Sequence, residues 1–199
     1  MPRPRVSEQR RRQILEAAAE VIVERGLSDT RIADVARRIG TSAGLVLYYF
    51  KSKDELLGEA LAYTDQLFYD EVSARSSADP RSRLRDLIES SCSASPLSGG
   101  MEMWALWLDL WTRARHDKQL AKERRVLDRR FRKEISDIVR EGQATGQFAM
   151  VEPNVFALTL ASLIDGLAIQ VVLKDPDVSR KRMLDLCLEI ASRELNCQL

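Results

Sequence analysis

Apolar positions recur along this chain every three or four residues, which is the spacing of one face of a helix. Ile14, Ala18, Val21 and Ile22 form the first stripe and predict a helix from about residue 7 to about 25, with Ser7 as its N-cap and Gly26 as its stop. Ile32, Val35, Ala36 and Ile39 repeat the i, i+3, i+4, i+7 pattern, with Asp29 and Thr30 offering caps in front and Gly40 closing behind. Gly40, Thr41 and Ser42 then turn the chain into a second short helix of about 43 to 50, in which Val46 and Phe50, four apart, point inward. The pattern is helix, tight turn, helix.

The periodicity continues. A longer helix from about 53 toward 75 carries Leu56, Leu57, Ala60, Leu61 and Leu67, and Asp79-Pro80 marks a break before a helix of about 81 to 94. "SASPLSGG" reads as a loop. "MEMWALWLDLWTRARHD" is helical, and a helix from about 117 to 144 has Leu120, Leu127, Phe131, Ile135, Ile138 and Val139 on one stripe. Two last helices are expected at about 153 to 173 and 179 to 197. No valine-threonine alternation of the strand kind interrupts the series, so the chain is expected to be all-α, with about nine helices.

Charge divides the chain although its total is only +1. Residues 1–53 hold 11 Lys and Arg against six Asp and Glu, a net +5, which leaves −4 for the remainder. A basic first part on an acidic body fits a protein that meets a polyanion at one end and does something else at the other. A solvated charged surface gives the same totals, so charge alone does not decide.

The helix-turn-helix decides more. The major groove of duplex DNA, roughly 12 Å wide, admits one helix while the preceding helix crosses the backbone. With Val46 and Phe50 turned inward, Thr41, Ser42, Ala43, Gly44, Leu45, Tyr48 and Tyr49 lie at the N-terminal end and outer surface of the second helix. Gly44 gives clearance, Leu45 can pack on a thymine methyl, and the hydroxyls can bond phosphates or base edges. Thr30, Arg31 and Lys53, at the starts of the flanking helices, are expected to face phosphates. A ligand-free three-helix unit would explain Val46 and Phe50 equally well, but not an exposed Tyr48 beside Gly44. Arg3 and Arg5, on the proline-spaced stretch "MPRPRVSEQRRR", could form an extended arm entering the minor groove, or a loose basic tail.

Residues 12 to 60, above all "TRIADVARRIGTSAGLVLYYFKSKDELLGEAL", closely resemble the DNA-binding domain of TetR-family transcriptional regulators. Phe50 through Leu57 carry the family's Phe-x-Ser/Asn-Lys-x-x-Leu entry to its fourth helix. Leu47 departs from the pattern: the family usually has tyrosine there, which leaves Tyr48 and Tyr49 as the candidates for its phosphate contact. The 117–144 stretch, "GQATGQF" and "LIDGLAIQ" are similar to the C-terminal domain of the betaine-regulator-like group. The resemblance implies a helix-turn-helix DNA-binding domain at 1–52 and a helical ligand-binding and dimerisation domain at 53–199. It also implies repression relieved by a small molecule.

Trp104, Trp107 and Trp111, all the tryptophans of the chain, share one helical face. They read either as a core stripe or as the wall of a small-molecule pocket. A cationic ligand such as a quaternary ammonium could be held there by cation–π attraction, although the nearby Asp109 projects largely away from the Trp107 face. Asp165, on an otherwise apolar helix, is a second candidate ligand contact. The helix around it is apolar nearly all round and needs cover on both sides, which a second subunit supplies. The resemblance implies a homodimer through helices 153–173 and 179–197, whose two-fold symmetry matches a palindromic operator.

Other classes find little support. Val155 to Leu173 is interrupted by Asp165 and Gln170, which argues for a buried helix and no membrane span. The basic N-terminus leads into an amphipathic helix and not an apolar signal, so a cytoplasmic protein is expected. Cys92, Cys187 and Cys197 are far apart and His116 is the single histidine, so neither a disulfide framework nor a metal site is suggested. No P-loop, GxGxxG or catalytic triad is present, and neither an enzyme nor a cofactor is expected. The competing reading is a helical architectural or interaction module that binds DNA without sequence preference.

Overall fold

The computed structural model describes residues 4–75, 79–92 and 102–199. These form nine α-helices and, among the described residues, no strand. The chain divides into two compact units, one of residues 1–67 and 97–124, the other of 68–96 and 125–199.

In the first unit, α1 (Pro4–Asp29), α2 (Ile32–Arg38), α3 (Ala43–Tyr49) and the opening of α4 (Lys53–Arg75) enclose Ile14, Ile22, Leu27, Val35, Val46, Phe50 and Leu57, each almost wholly buried. Each such side chain stabilises the unit by about 1.5–3 kcal/mol. The helix α1 begins at Pro4, so Ser7 is not its cap; proline is favoured in a first turn, where its missing N–H costs nothing. Arg5 therefore opens a helix and not an extended arm, while Arg3 lies outside the described residues. Gly26 interrupts α1 at φ 79°, ψ 163°, as the stop expected there, and a short helical segment follows it to Asp29. Neither Asp29 nor Thr30 caps α2: Arg31 holds the N-cap position with no side-chain bond. The unit also contains α6 (Glu102–Ala114), which packs on α1.

The second unit is built on α5 (Pro80–Cys92), α8 (Pro153–Val172) and α9 (Arg180–Leu195), which pack on one another. To it belongs most of α7 (Lys118–Ala144), whose Leu127, Ile135, Ile138 and Val139 are buried as the stripe predicts. Asp79 caps α5, accepting from the Ser82 N–H at 3.0 Å and its hydroxyl at 2.9 Å. Gly146, at φ 71°, ends α7, and the N–H groups of Gln147 and Phe148 both reach the Gly142 carbonyl. Cys92 and Cys187 are buried free thiols. The loop expected at "SASPLSGG" lies outside the described residues.

The helix α8 is long and apolar enough to cross a membrane by length and composition, despite Asp165 and Gln170, which corrects the expectation that these two residues exclude it. It packs against α5 and α9, and about a third of its most apolar window is buried. Its N-cap is Glu152, whose carboxylate accepts from the Val155 N–H at 2.6 Å and the Asn154 N–H at 3.2 Å. Those bonds hold the carboxyl below its ordinary range. A depressed folded-state pKa stabilises above the unfolded value and ceases to do so as pH falls through the folded one. Glu152→Ala is accordingly expected to lower the unfolding temperature at neutral pH, and the two proteins' melting curves converge in acid.

Candidate DNA interface and aromatic wall

The turn between α2 and α3 is a Schellman motif. Gly40 takes the left-handed conformation (φ 64°), its N–H reaches the Arg37 carbonyl, and the Thr41 N–H reaches Ala36 at 2.9 Å. Two residues later Ser42 caps α3, its hydroxyl accepting from the Leu45 N–H at 3.2 Å. Closing one helix and opening the next within three residues fixes the angle at which α3 leaves the turn.

Packing then fixes its rotation. Val46 and Phe50 are fully buried, and the Arg11 guanidinium lies over the Phe50 ring, 4.7 Å from its centroid, while pairing with Glu59. With that face inward, Ser42, Ala43, Gly44 and Tyr48 are exposed, Tyr48 by 75%, while Thr41, Leu45 and Tyr49 are half-buried. The Tyr48 and Tyr49 rings meet edge to face, 5.3 Å between centroids. Leu47, absent from the sequence-derived set, is 44% exposed on the same outer surface. Its one signal in the sequence is its departure from the family pattern.

The flanking positions divide. Arg31 is exposed, and its guanidinium makes no hydrogen bond or ion pair among the described residues. Lys53 is half-buried, its Nζ donating to the Ser28 carbonyl at 3.1 Å, which leaves two ammonium hydrogens. Just before it, Ser52 accepts from the Glu55 N–H while the Glu55 carboxylate accepts from the Lys51 N–H, fixing the start of α4. Thr30 does not belong with them. Its side chain is 1% exposed and its hydroxyl donates to the Gly26 carbonyl at 2.7 Å, because the broken turn after Gly26 needs a partner for that oxygen. Behind the reading helix, Arg38 forks to Glu20 and Glu24, tying α2 to α1.

On α6, Trp104, Trp107 and Trp111 are all half-buried, and the Trp107 and Trp111 rings stand 6.4 Å apart, tilted by 41°. Leu110, by contrast, is wholly buried. The tryptophans thus line the helix surface without being enclosed in the core of their own unit. Asp165 is half-buried on α8, in the other unit. The role of Asp109 was not legible in the sequence: its carboxylate accepts from the Leu27 N–H at 2.9 Å. Among the described residues no cluster of His, Cys, Asp and Glu could hold a metal.

A short reading helix set by a capped tight turn, presenting small and hydroxyl-bearing residues outward, defines a helix-turn-helix DNA-binding protein. Residues 14–60 match the family model of bacterial regulatory proteins of the tetR family, and residues 80–196 match that of the BetI-type transcriptional repressor, C-terminal. The HTH-type transcriptional regulator BetI of Cronobacter sakazakii is 33% identical over 178 residues, covering 87% of this chain and 84% of that protein. That of Stenotrophomonas maltophilia is 30% identical, covering 84% and 83%. A putative transcriptional regulator from Saccharomonospora viridis, solved in complex with choline, superposes with a TM-score of 0.82 at 31% identity, covering 94% of this chain and 98% of that one. A putative TetR-family regulator from Rhodococcus sp. reaches 0.84 at 26% identity, covering 94% and 99%. The chain belongs to the TetR family of transcriptional regulators, in its BetI-type branch, and is a ligand-responsive DNA-binding regulator and not an enzyme.

Proposed function

We propose that this regulator represses transcription as a homodimer on a palindromic operator and is released by a small organic cation of the quaternary ammonium class. The observation that carries the DNA half is the orientation of α3: buried Val46 and Phe50 hold Gly44, Leu45 and Tyr48 outward together. In this reading Ser42, Ala43, Gly44, Leu45 and Tyr48 face the major groove, and Thr41, Tyr49, Arg31 and Lys53 bond phosphates. Leu47 joins them as an apolar contact. The functional boundary falls near residue 52, and the protein works in the cytoplasm.

The effector half rests on the half-buried tryptophans of α6 and on the similar regulator solved with choline. Indole faces attract a quaternary ammonium with about 0.5–2 kcal/mol each, more as water is excluded. Trp104, Trp107 and Trp111 are the proposed contacts on α6; Asp165, on α8, is a separate candidate ligand contact. Dimerisation through α8 and α9 is supported by the outward face of α8, where Val155 and Leu158 are exposed.

Selecting duplexes from a random pool tests the first half. The recovered site is expected to be a palindrome with half-sites one turn apart, about 34–36 Å. Tyr48→Ala is expected to weaken binding to it by about 1–3 kcal/mol, roughly fivefold to 150-fold, with thermal unfolding unchanged. Equal affinity for selected and random duplexes would favour an architectural protein and overturn the reading. Quenching of tryptophan fluorescence by choline tests the second half.

A further inference from the structure

The helix α6 has two working faces. Trp104, Trp107 and Trp111 occupy one; Asp109, two residues beyond Trp107 and so about 200° around the helix, occupies the opposite one. There its Oδ2 accepts from the buried Leu27 N–H at 2.9 Å. Leu27 directly follows Gly26, where α1 breaks at a positive φ. The approach is close: a Cβ on Gly26 would stand 2.8 Å from Asp109 Oδ2 and push that carboxylate aside, and the φ of 79° itself favours glycine. From the other side the Gly26 carbonyl accepts from both the hydroxyl and the N–H of Thr30, at 2.7 and 3.2 Å. The corner that leads from α1 into α2 is therefore gripped at its N–H by α6 and at its carbonyl by Thr30.

We propose that Asp109 is the positioning residue through which α6 controls the helix-turn-helix: its bond to Leu27 holds the α1–α2 corner in the DNA-reading arrangement, and a cation seated on the tryptophan face releases it. The effector part of this inference rests on the function proposed above. A carboxylate-to-amide bond is charge-assisted and short, so displacing α6 by under about 1 Å takes 2.9 Å beyond hydrogen-bonding distance. A ligand that prefers the displaced helix shifts the equilibrium by the ratio of its two affinities. No side chain need run from the effector to the DNA, since the rigid helix carries the motion from one face to the other.

The experiment compares wild type, Asp109→Ala and Asp109→Asn, using the selected operator and choline as the probe. Asparagine keeps an oxygen that can accept from Leu27, so it controls for loss of folding and of shape. Without choline, Asp109→Ala is expected to bind the operator at least about fivefold more weakly than wild type, and Asp109→Asn within about twofold of it. Choline should weaken wild-type binding to the level of Asp109→Ala and leave that variant unchanged, while quenching tryptophan fluorescence with the same affinity in both. Equal operator affinities for wild type and Asp109→Ala, or a full choline response in Asp109→Ala, overturn the inference. If choline neither binds the wild type nor alters its operator affinity, the effector reading fails instead, and the positioning role is decided by the choline-free affinities alone.

Discussion

Gly166→Glu is expected to yield a folded monomer that no longer holds its operator. A Cβ on Gly166 would meet nothing within 4 Å and the position is exposed, so its own subunit leaves room for a side chain there, and in mid-helix glycine is about 1 kcal/mol poorer than alanine. Within one chain the substitution is therefore neutral or stabilising. In the proposed dimer it is not. Val155, Leu158, Ser162, Gly166, Ile169 and Leu173 follow one outward stripe of α8, and the small residues at its centre admit a closely approaching helix. A carboxylate placed there would be buried against apolar surface at a cost of several kcal/mol, and once in each subunit by symmetry. Sedimentation should show the monomer, circular dichroism an unchanged helix content, and operator affinity should fall by about two orders of magnitude or more, since one reading helix remains where two acted. A dimer of wild-type stability would place the interface elsewhere.

The second large effect concerns folding. Gly142 lies in the last turn of α7, where the chain doubles back and lays the buried Phe148 ring on the helix. A Cβ at position 142 would stand 2.1 Å from Phe148 Cδ2, closer than two non-bonded carbons can approach. Either the ring leaves its place or the turn opens, and the turn is held by two bonds to the Gly142 carbonyl itself. Overpacking of this kind costs about 1–3 kcal/mol, and a ring carbon at 2.1 Å puts it toward the upper end, against about 1 kcal/mol that alanine gains in helix propensity. At about 2–4 °C per kcal/mol for a chain of this size, a net loss of about 1–2 kcal/mol in Gly142→Ala should lower the melting temperature by roughly 2–8 °C, with Gly142→Val worse. Phe148→Leu in the Gly142→Ala background is expected to recover part of the loss. If the two substitutions simply add, the collision is not the cause.

Helix number, order and most boundaries were written in the apolar spacing, because each helix buries one stripe and the stripe must repeat every three or four residues. The reading helix was equally legible: Gly40, Ser42, Val46 and Phe50 act over distances of four residues or less, where caps and turns are local chemistry. Errors arose where a residue's partner came from farther away or where two local partners competed. Ser7 and Thr30 both look like caps, yet Pro4 opens α1 and the Thr30 hydroxyl turns inward to Gly26. Asp165 and Gln170 look like interruptions of a long apolar helix, but two polar groups in twenty residues leave its composition spanning-competent, and only its packing on α5 and α9 gives it a core role.

The sequence alone determined an all-α regulator with a tight-turn helix pair, since periodicity, caps and a basic first segment are properties of neighbouring residues. Tertiary structure alone decided that Asp109, read as a bystander to the tryptophans, meets the Leu27 amide 82 residues away. It likewise decided that Gly26 and Gly142 are best as glycine and that Gly166 need not be. Close approach between distant segments depends on how whole helices pack, and no local pattern records which atom a given side chain will meet.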